Sequence, residues 1–403
     1  MSLPGGVQET GLGGVFLVVG GGPFQLGLID AVRGLGFQAL VVDQDAQAPG
    51  MNRADIAHAI DVCDVDRIAE LGARYQVVGV QTAASDVALP AVAHAATRLD
   101  LPGLPLSAVD RCRDKLRAFD TLDASGVGAP RTWLARGVDE AVDRQGREGL
   151  EQLVLKPRRG AGGRGVSVCA TRQEIERAFA KAERYVGVDD GGLLVQEFVD
   201  GTSIGFEGSF YRGELVGGFV LDDQLTPGFV SPVGHSVPST LPSDLRARIH
   251  ATANRVAEAF GLTDGPVNLD LRLRDGEIVV IEINPRLGGN SISELIRLAY
   301  GLDLCEAAAL IAVGKKPELE LAGVEPVGSA ARLLVSSKRG TVRFRSPLPE
   351  FFQAFCEDGE PTSLHVDNQA ILGRALCRGG SSTDAADRAR EVCLAAKRAV
   401  EVV

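Results

Sequence analysis

The segment VNLDLRLRDGEIVVIEINPR, residues 267–286, constrains this chain more than any other, because it reads as two alternating strands around the turn residues Asp275 and Gly276. Pairing Asp270 with Glu282 also pairs Asn268 with Asn284, and sends Leu269, Leu271, Leu273, Val279, Ile281 and Ile283 to the opposite face. One face is then apolar and the other gathers four oxygen-bearing side chains at one end. This register requires a three-residue connection, 275–277, or a bulge. A plain two-residue Asp-Gly turn divides the carboxylates between the faces. The odd-length connection is the expectation. Two carboxylates with an amide oxygen suit Mg²⁺, a hard cation that takes few protein ligands and completes its shell with substrate phosphates; the competing reading is a solvated acidic strand face. Arg286 follows at once, and Gly288 and Gly289 would let a phosphate or carboxylate approach it for bidentate binding.

A second segment, LVLKPRRGAGGRGVSV at 153–168, sets Lys156 inside an apolar strand ahead of a loop rich in glycine and arginine. A lysine in such a run needs an anion or water. The loop offers backbone amides and positive charge, as a lid over a triphosphate does, but a basic surface hairpin has the same composition. Three further pieces say less alone. Lys115 in RCRDKLRAFDTL reads as a helix lysine, LLVQEFVDG at 193–201 as a strand running into a turn, and His235 in SPVGHSVPS as a histidine in a Pro/Gly-rich loop.

Around these pieces the chain alternates strands and helices. Strands at 15–19, 39–42 and 77–80 with helices at 24–35 and 87–99 describe a parallel α/β domain of residues 1–110. Its turn, Gly20-Gly21-Gly22-Pro23, lacks both the Lys-Ser/Thr of a P-loop and a complete GxGxxG, so a tight βα turn accounts for it as well as a ligand contact does. A charged helix at 112–125 comes next. Strands at 154–159, 166–169, 193–199, 203–210, 215–221 and 267–274 and helices at 173–183 and 243–260 make α+β structure to residue 316. Residues 317–403 form a C-terminal α+β subdomain ending in a helix at 382–400.

Composition narrows the chemistry. The 403 residues carry a formal net charge of -11, with 45% hydrophobic and 24% charged residues. That is an ordinary folded composition without the basic face a nucleic-acid binder needs. Seven cysteines without a CxxC or CxH pair point to reduced thiols in cytoplasm. The start, MSLPGGVQETGLGG, reads as a loose tail rather than a signal peptide, and no apolar run is long enough to span a membrane without charges or turn residues.

In this order the motifs resemble the ATP-grasp superfamily, and within it the carboxylate-amine ligases such as the L-amino acid ligases. The resemblance covers residues 15–315 and implies a pre-ATP-grasp domain (1–110), an ATP-grasp domain (111–316, with a lid over about 115–196) and the C-terminal subdomain. By the resemblance, Lys115 and Lys156 bind phosphate, and Arg159, Gly160, Gly162, Gly163 and Gly165 belong to the lid loop. Glu197 and Val199 form the hinge that holds adenine, mostly through backbone groups. Asp270, Glu282 and Asn284 hold Mg²⁺ or Mn²⁺, and Arg286 lies beside the transferred phosphate. Ser203 stands where many members place an acidic residue on the ribose, in a pattern like GxEyS, while Glu207 matches an acidic position just beyond, grouped with the nucleotide site but facing the substrate or metal rather than the sugar. Gly234-His235-Ser236-Val237-Pro238 looks like the GHxxP loop of amino-acid ligases, which puts His235 with Lys156 and Arg286 among the catalytic residues. The implied activity is ATP-dependent activation of a carboxylate as an acyl phosphate and its capture by an amine, free or on a carrier protein, with release of ADP and phosphate. A homodimer is compatible with it. The rival readings are a bicarbonate- or formate-activating enzyme of carboxylase or purine-pathway type, and a non-catalytic nucleotide-binding protein.

Overall fold

The computed structural model describes residues 13–403 apart from 188–189, 227–230, 322, 337, 363 and 367–368. Residues 1–12 of the expected tail lie outside the described residues.

The first layer is a parallel sheet of β1 (Val15–Val19), β2 (Gln38–Asp43), β3 (Ile56–Ala59) and β4 (Gly79–Gln81) in the order β3-β2-β1-β4. Runs such as VFLVV and QALVVD are apolar on both sides because both faces are covered. Leu17, Val19, Leu40 and Val42 pack under α2 (Val65–Arg74) and α3 (Leu89–Arg98), while Phe16, Val18, Ala39 and Val41 meet α1 (Leu26–Gly34) on the other side. The glycine turn after β1 is closed by its own chain. Gly21 N–H donates to the Asp43 carboxylate at 2.7 Å, and Gly21 C=O accepts from Gly50 N–H at 2.7 Å. A tight βα turn describes it.

The helix expected at 112–125 is two helices, α4 (Leu106–Arg113) and α5 (Lys115–Ala124), broken at Asp114. Asp114 has extended backbone, and its carboxylate caps α5 by accepting from Arg117 N–H. The break sets Lys115 at the first position of α5 instead of in mid-helix.

A small antiparallel sheet follows, with β5 (Thr132–Ala135), β6 (Leu153–Pro157), β7 (Ser167–Cys169) and β8 (Leu193–Glu197) in the order β5-β8-β6-β7. The helices α6 (Val138–Glu148) and α7 (Arg172–Ala182) cover it through Ala141, Ile175 and Ala178. α7 starts in a capping box between Thr171 and Glu174. This unit begins at Thr132, later than residue 115, because Ala118, Phe119 and Leu122 of α5 belong to the next core.

That core lies on a long antiparallel sheet of β9 (Thr202–Tyr211), β10 (Glu214–Gln224), β11 (Gly234–Val237), β12 (Gly265–Arg274) and β13 (Glu277–Asn284). α8 (Ser243–Phe260) presents Ile249, Val256 and Phe260 to Phe206, Leu269 and Val280. Fully burying each of these side chains contributes roughly 1.5–3 kcal/mol. After α9 (Ile292–Tyr300) and α10 (Leu304–Ala312), the same sheet continues through β14 (Ser329–Ser336), which pairs with β11. The short strands β15 (Val342–Phe344), β16 (Phe352–Ala354) and β17 (Leu364–Val366) lead to β18 (Gln369–Arg378), which pairs with β14. The division expected at residue 316 therefore does not interrupt the sheet. α11 (Ser382–Ala399) covers β14 and β18 with its own core around Ala330, Leu372 and Ala389. Among the described residues, no helix is long and apolar enough to cross a membrane.

Candidate active site

The register of the β12–β13 hairpin is the expected one at its functional end: Asn268 faces Asn284 and Asp270 faces Glu282. The connection is different. Asp275 (φ 53°) and Gly276 (φ 80°) make a two-residue turn between Arg274 and Glu277, so the three-residue connection is not used. The odd residue is Ile281, a bulge between the pairs Asp270–Glu282 and Leu271–Val280. The bulge also corrects the apolar face. Ile278 and Val280 join Leu269, Leu271 and Ile283 in the core, and Ile281 is turned to the cleft wall.

That cleft is a cavity of about 1150 Å³ between the small sheet and the long one. Lys115, Lys156, Arg159, Gly160, Gly163, Glu197, Val199, Asp270 and Glu282 all line it. Its polar end is a set of coupled charges. The Asp270 carboxyl is pushed above the usual range by burial and by the neighbouring Glu282. Lys115 Nζ lies 3.1 Å from Glu282 Oε1 and donates to Gly160 C=O at 2.7 Å, joining the glycine loop to the carboxylates. Lys156, 5% exposed, stands 4.6 Å over the ring of Phe119. Burial, then the repulsion of Lys115, lower its pKa to about 7 against the pull of Glu282 and Asp270. Bringing an anion to this end relieves the repulsion between the lysines.

The loop between β6 and β7 is anchored at its root by Asp114, which the sequence reading did not single out. Arg158 makes a two-pronged ion pair with Asp114 at 2.7 and 2.7 Å, with Arg159 at 3.7 Å. Burial pushes the Asp114 carboxyl up, but Arg158 and the Arg117 amide hold it below its ordinary value. Gly162 and Gly165 have positive φ (65° and 78°) and shape the loop, but they do not line the cavity.

At the other end, Glu197 accepts from Arg131 at 3.1 Å and from Arg274 at 2.6 Å, and its own N–H donates to Arg131 C=O. Its carboxylate thus ties the end of β8 to β12. Beside it, Val199 is buried in the cavity wall.

Besides Gly162 and Gly165, four of the expected residues do not line the cavity. Asn284 donates its amide to Asn268 Oδ1 at 3.3 Å, which leaves its own carbonyl oxygen available to a cation. Glu207 accepts from Gly288 N–H at 3.0 Å and from Asn268 at 3.1 Å, and burial above all raises its pKa to about 8. Glu207 thus braces Gly288 and Asn268 behind the cleft wall. Gly288 has to be glycine for this contact, since a Cβ there would lie 2.6 Å from Glu207 Oε2. Arg286 forms a two-pronged pair with Asp86 at 3.0 and 3.0 Å and donates to Leu287 C=O, leaving one N–H on each terminal nitrogen. His235 is a strand residue of β11 instead of a loop residue, buried against Asp223 at 2.8 Å. Nothing in the local sequence marks Asp86 or Asp223, because each meets its partner only across the fold.

The donor set of Asp270, Glu282 and the free Asn284 oxygen fits a small hard cation shared with phosphate oxygens. Among the described residues, no group of three or more His, Cys, Asp or Glu makes a cage that holds a metal by itself.

The site is thus a small antiparallel sheet and a long one with a charged cleft between them. Residues 112–290 match the ATP-grasp domain model. The chain is 27% identical over 333 residues to the uncharacterized protein y4rH of Sinorhizobium fredii, covering 78% of this chain and 66% of that one. Against carnosine synthase 1 of Gallus gallus it is 29% identical over 240 residues, 55% of this chain and 26% of the synthase. The chain therefore spans just under two thirds and about a quarter of these relatives' lengths. Its fold is that of the L-amino acid ligase from Bacillus licheniformis, with a TM-score of 0.77 at 20% identity over 96% of this chain and 98% of that one.

Proposed function

We propose that this protein is an ATP-dependent carbon–nitrogen ligase that phosphorylates a substrate carboxylate and passes the acyl group to an amine, releasing ADP and phosphate. The observation that carries the reading is the cleft's polar end, where Asp270 and Glu282 face one another beside Lys115 and Lys156. Charges so grouped suit the terminal phosphates of a nucleotide, and phosphoryl transfer depends chiefly on such positioning and charge compensation.

Each residue has a role in this reading. Lys115 and Lys156 hold phosphate oxygens, with Lys156 protonated once an anion offsets Lys115. The amides of 159–165 close over the phosphates, while Glu197 and Val199 border the adenine. Asp270, Glu282 and Asn284 hold Mg²⁺ or Mn²⁺, which neutralises phosphate charge. Arg286, held in place by Asp86, directs its two remaining N–H groups to the transferred phosphoryl or the substrate carboxylate. His235 lies on the substrate side. The likeness to a carnosine synthase, with the GHxxP-like segment, supports an amino acid as carboxylate or amine. A homodimer is compatible with this reading.

The test is a screen of amino acid pairs and small acids for ATP-dependent phosphate release, with mass spectrometry of the products. ADP should form one for one with amide, and ¹⁸O from the carboxylate should appear in the phosphate. AMP with pyrophosphate would overturn the acyl-phosphate route, and turnover with bicarbonate or formate alone would favour the carboxylase-type alternative.

A further inference from the structure

Three neighbouring strands carry a line of polar contacts that ends on His235, and the reading above gives no role to the two residues before it. Ser203 on β9 lines the cleft, and its hydroxyl donates to Asp223 Oδ2 at 2.7 Å. Asp223 on β10 faces His235 on β11 in the ladder, and Asp223 Oδ1 lies 2.8 Å from His235 Nδ1. Both side chains are buried, at 1% and 5% exposure. At the far end, His235 Nε2 is buried without a hydrogen-bond partner among the described residues.

The chemistry of the three groups gives this line a direction. An ionised carboxylate only accepts, so Asp223 accepts a hydrogen bond from the Ser203 hydroxyl on one oxygen and from Nδ1–H on the other. A neutral His235 ring is thereby fixed in the tautomer whose lone pair is on Nε2. A histidine serving only to join two strands needs one nitrogen bonded and the other in water or paired. Here the second is buried and unmatched, which is unfavourable until a donor arrives. The site also makes room for the carboxylate. Gly205, directly opposite Asp270 on β12, has no Cβ, and one placed there would lie 3.3 Å from Asp223 Oδ1.

We propose that Asp223 is a positioning residue that fixes His235 with Nε2 as the acceptor for an N–H of the incoming amine, and that Ser203 joins this pair to the wall of the nucleotide cleft. The inference rests on the ligase reading. As the amine nitrogen forms the C–N bond, the acyl C–O bond breaks, phosphate leaves with its electron pair, and the nitrogen's proton passes to Nε2.

Hydroxylamine separates the two halves of the reaction, because this small uncharged nucleophile captures an acyl phosphate as a hydroxamate without a positioned acceptor. With the best carboxylate and amine from the screen, Asp223→Asn should lower the ratio of amide to hydroxamate by at least about tenfold, less than the 10²–10⁴ of a positioned acid–base group because Asp223 acts only through His235. Ser203→Ala should lower it less, by about two- to threefold, a single hydrogen bond's worth. In parallel, ¹⁵N NMR of histidine-labelled protein, with His235 assigned by its loss in His235→Ala, should show Nδ1–H in the unmodified chain. It should show Nε2–H in Asp223→Asn, whose amide can donate to Nδ1. An equal fall of both products, or an unchanged tautomer, overturns the proposal. A wild-type protein that makes neither product overturns the ligase reading and the acceptor role with it, while the tautomer still decides whether Asp223 positions His235.

Discussion

The β12–β13 hairpin and the glycine loop face each other across one cleft, yet they are held in different ways. The hairpin is fixed by its own ladder. Its carboxylates stand opposite because of strand pairing and a single bulge at Ile281, and the apolar face beneath them is locked into the core by Leu269, Leu271 and Val280. The loop at 159–165 has no ladder of its own. It is held at its root by Arg158 on Asp114 and, two residues on, by Lys115 on Gly160 C=O. A rigid floor sets where charge must sit, whereas a loop tied by a few polar contacts can close when an anion competes for the same lysine.

The largest effect should come from the floor. Glu282→Gln keeps the hairpin's shape and removes one of two crowded carboxylates, so turnover at saturating Mg²⁺ should fall on the order of 10³-fold while the melting temperature holds or rises. Near-wild-type turnover would remove Glu282 from the site. The clamp on Arg286 is next. Asp86→Asn leaves a buried guanidinium without its counter-charge, and chemical denaturation should show a loss of about 2–3 kcal/mol, the lower end for breaking a buried pair because both groups retain some exposure. A change within about 0.5 kcal/mol, the scale of an ordinary surface substitution, would mean that Asp86 does not hold Arg286.

A smaller effect belongs to Lys156. Its folded pKa of about 7 lies below the ordinary 10.5, so between these values the unfolded chain binds a proton that the folded chain does not. Stability of the nucleotide-free protein should therefore rise with pH across that window, and Lys156→Met should remove this residue's share of the rise. Denaturation midpoints for both proteins at several pH values across the window test it; identical slopes would place Lys156 in a more polar setting. The smallest effect is in the loop itself. Hydrogen exchange at 159–165 should slow severalfold with a non-hydrolysable ATP analogue and Mg²⁺, while the hairpin amides, already in their ladder, change little. Equal exchange with and without nucleotide would make the loop a surface hairpin and dissolve the contrast.

Much of this was legible in the residues because it is local. Alternation from 267 to 286 set the Asp270–Glu282 register, apolar runs at 15–19 and 39–42 marked a sheet covered on both faces, and Lys156 stood out as a lysine in an apolar strand. A pattern of period two cannot say where an extra residue is absorbed, since a longer turn and a bulge restore the same parity. The structure chose the bulge because Asp275 and Gly276 already satisfy a tight turn with positive φ at both positions.

What the sequence by itself determined is therefore the set of elements and the residue types gathered at the hairpin's functional end. Only the tertiary structure decided which charges meet. Asp86 reaches Arg286 across 200 residues, Asp114 reaches Arg158 across 44, and Asp223 reaches His235 through a strand pairing that leaves no periodic trace. The reason is physical. Backbone periodicity and apolar patterning act between near neighbours, whereas a buried ion pair is specified only when burial removes water from both partners and leaves each the other's best alternative.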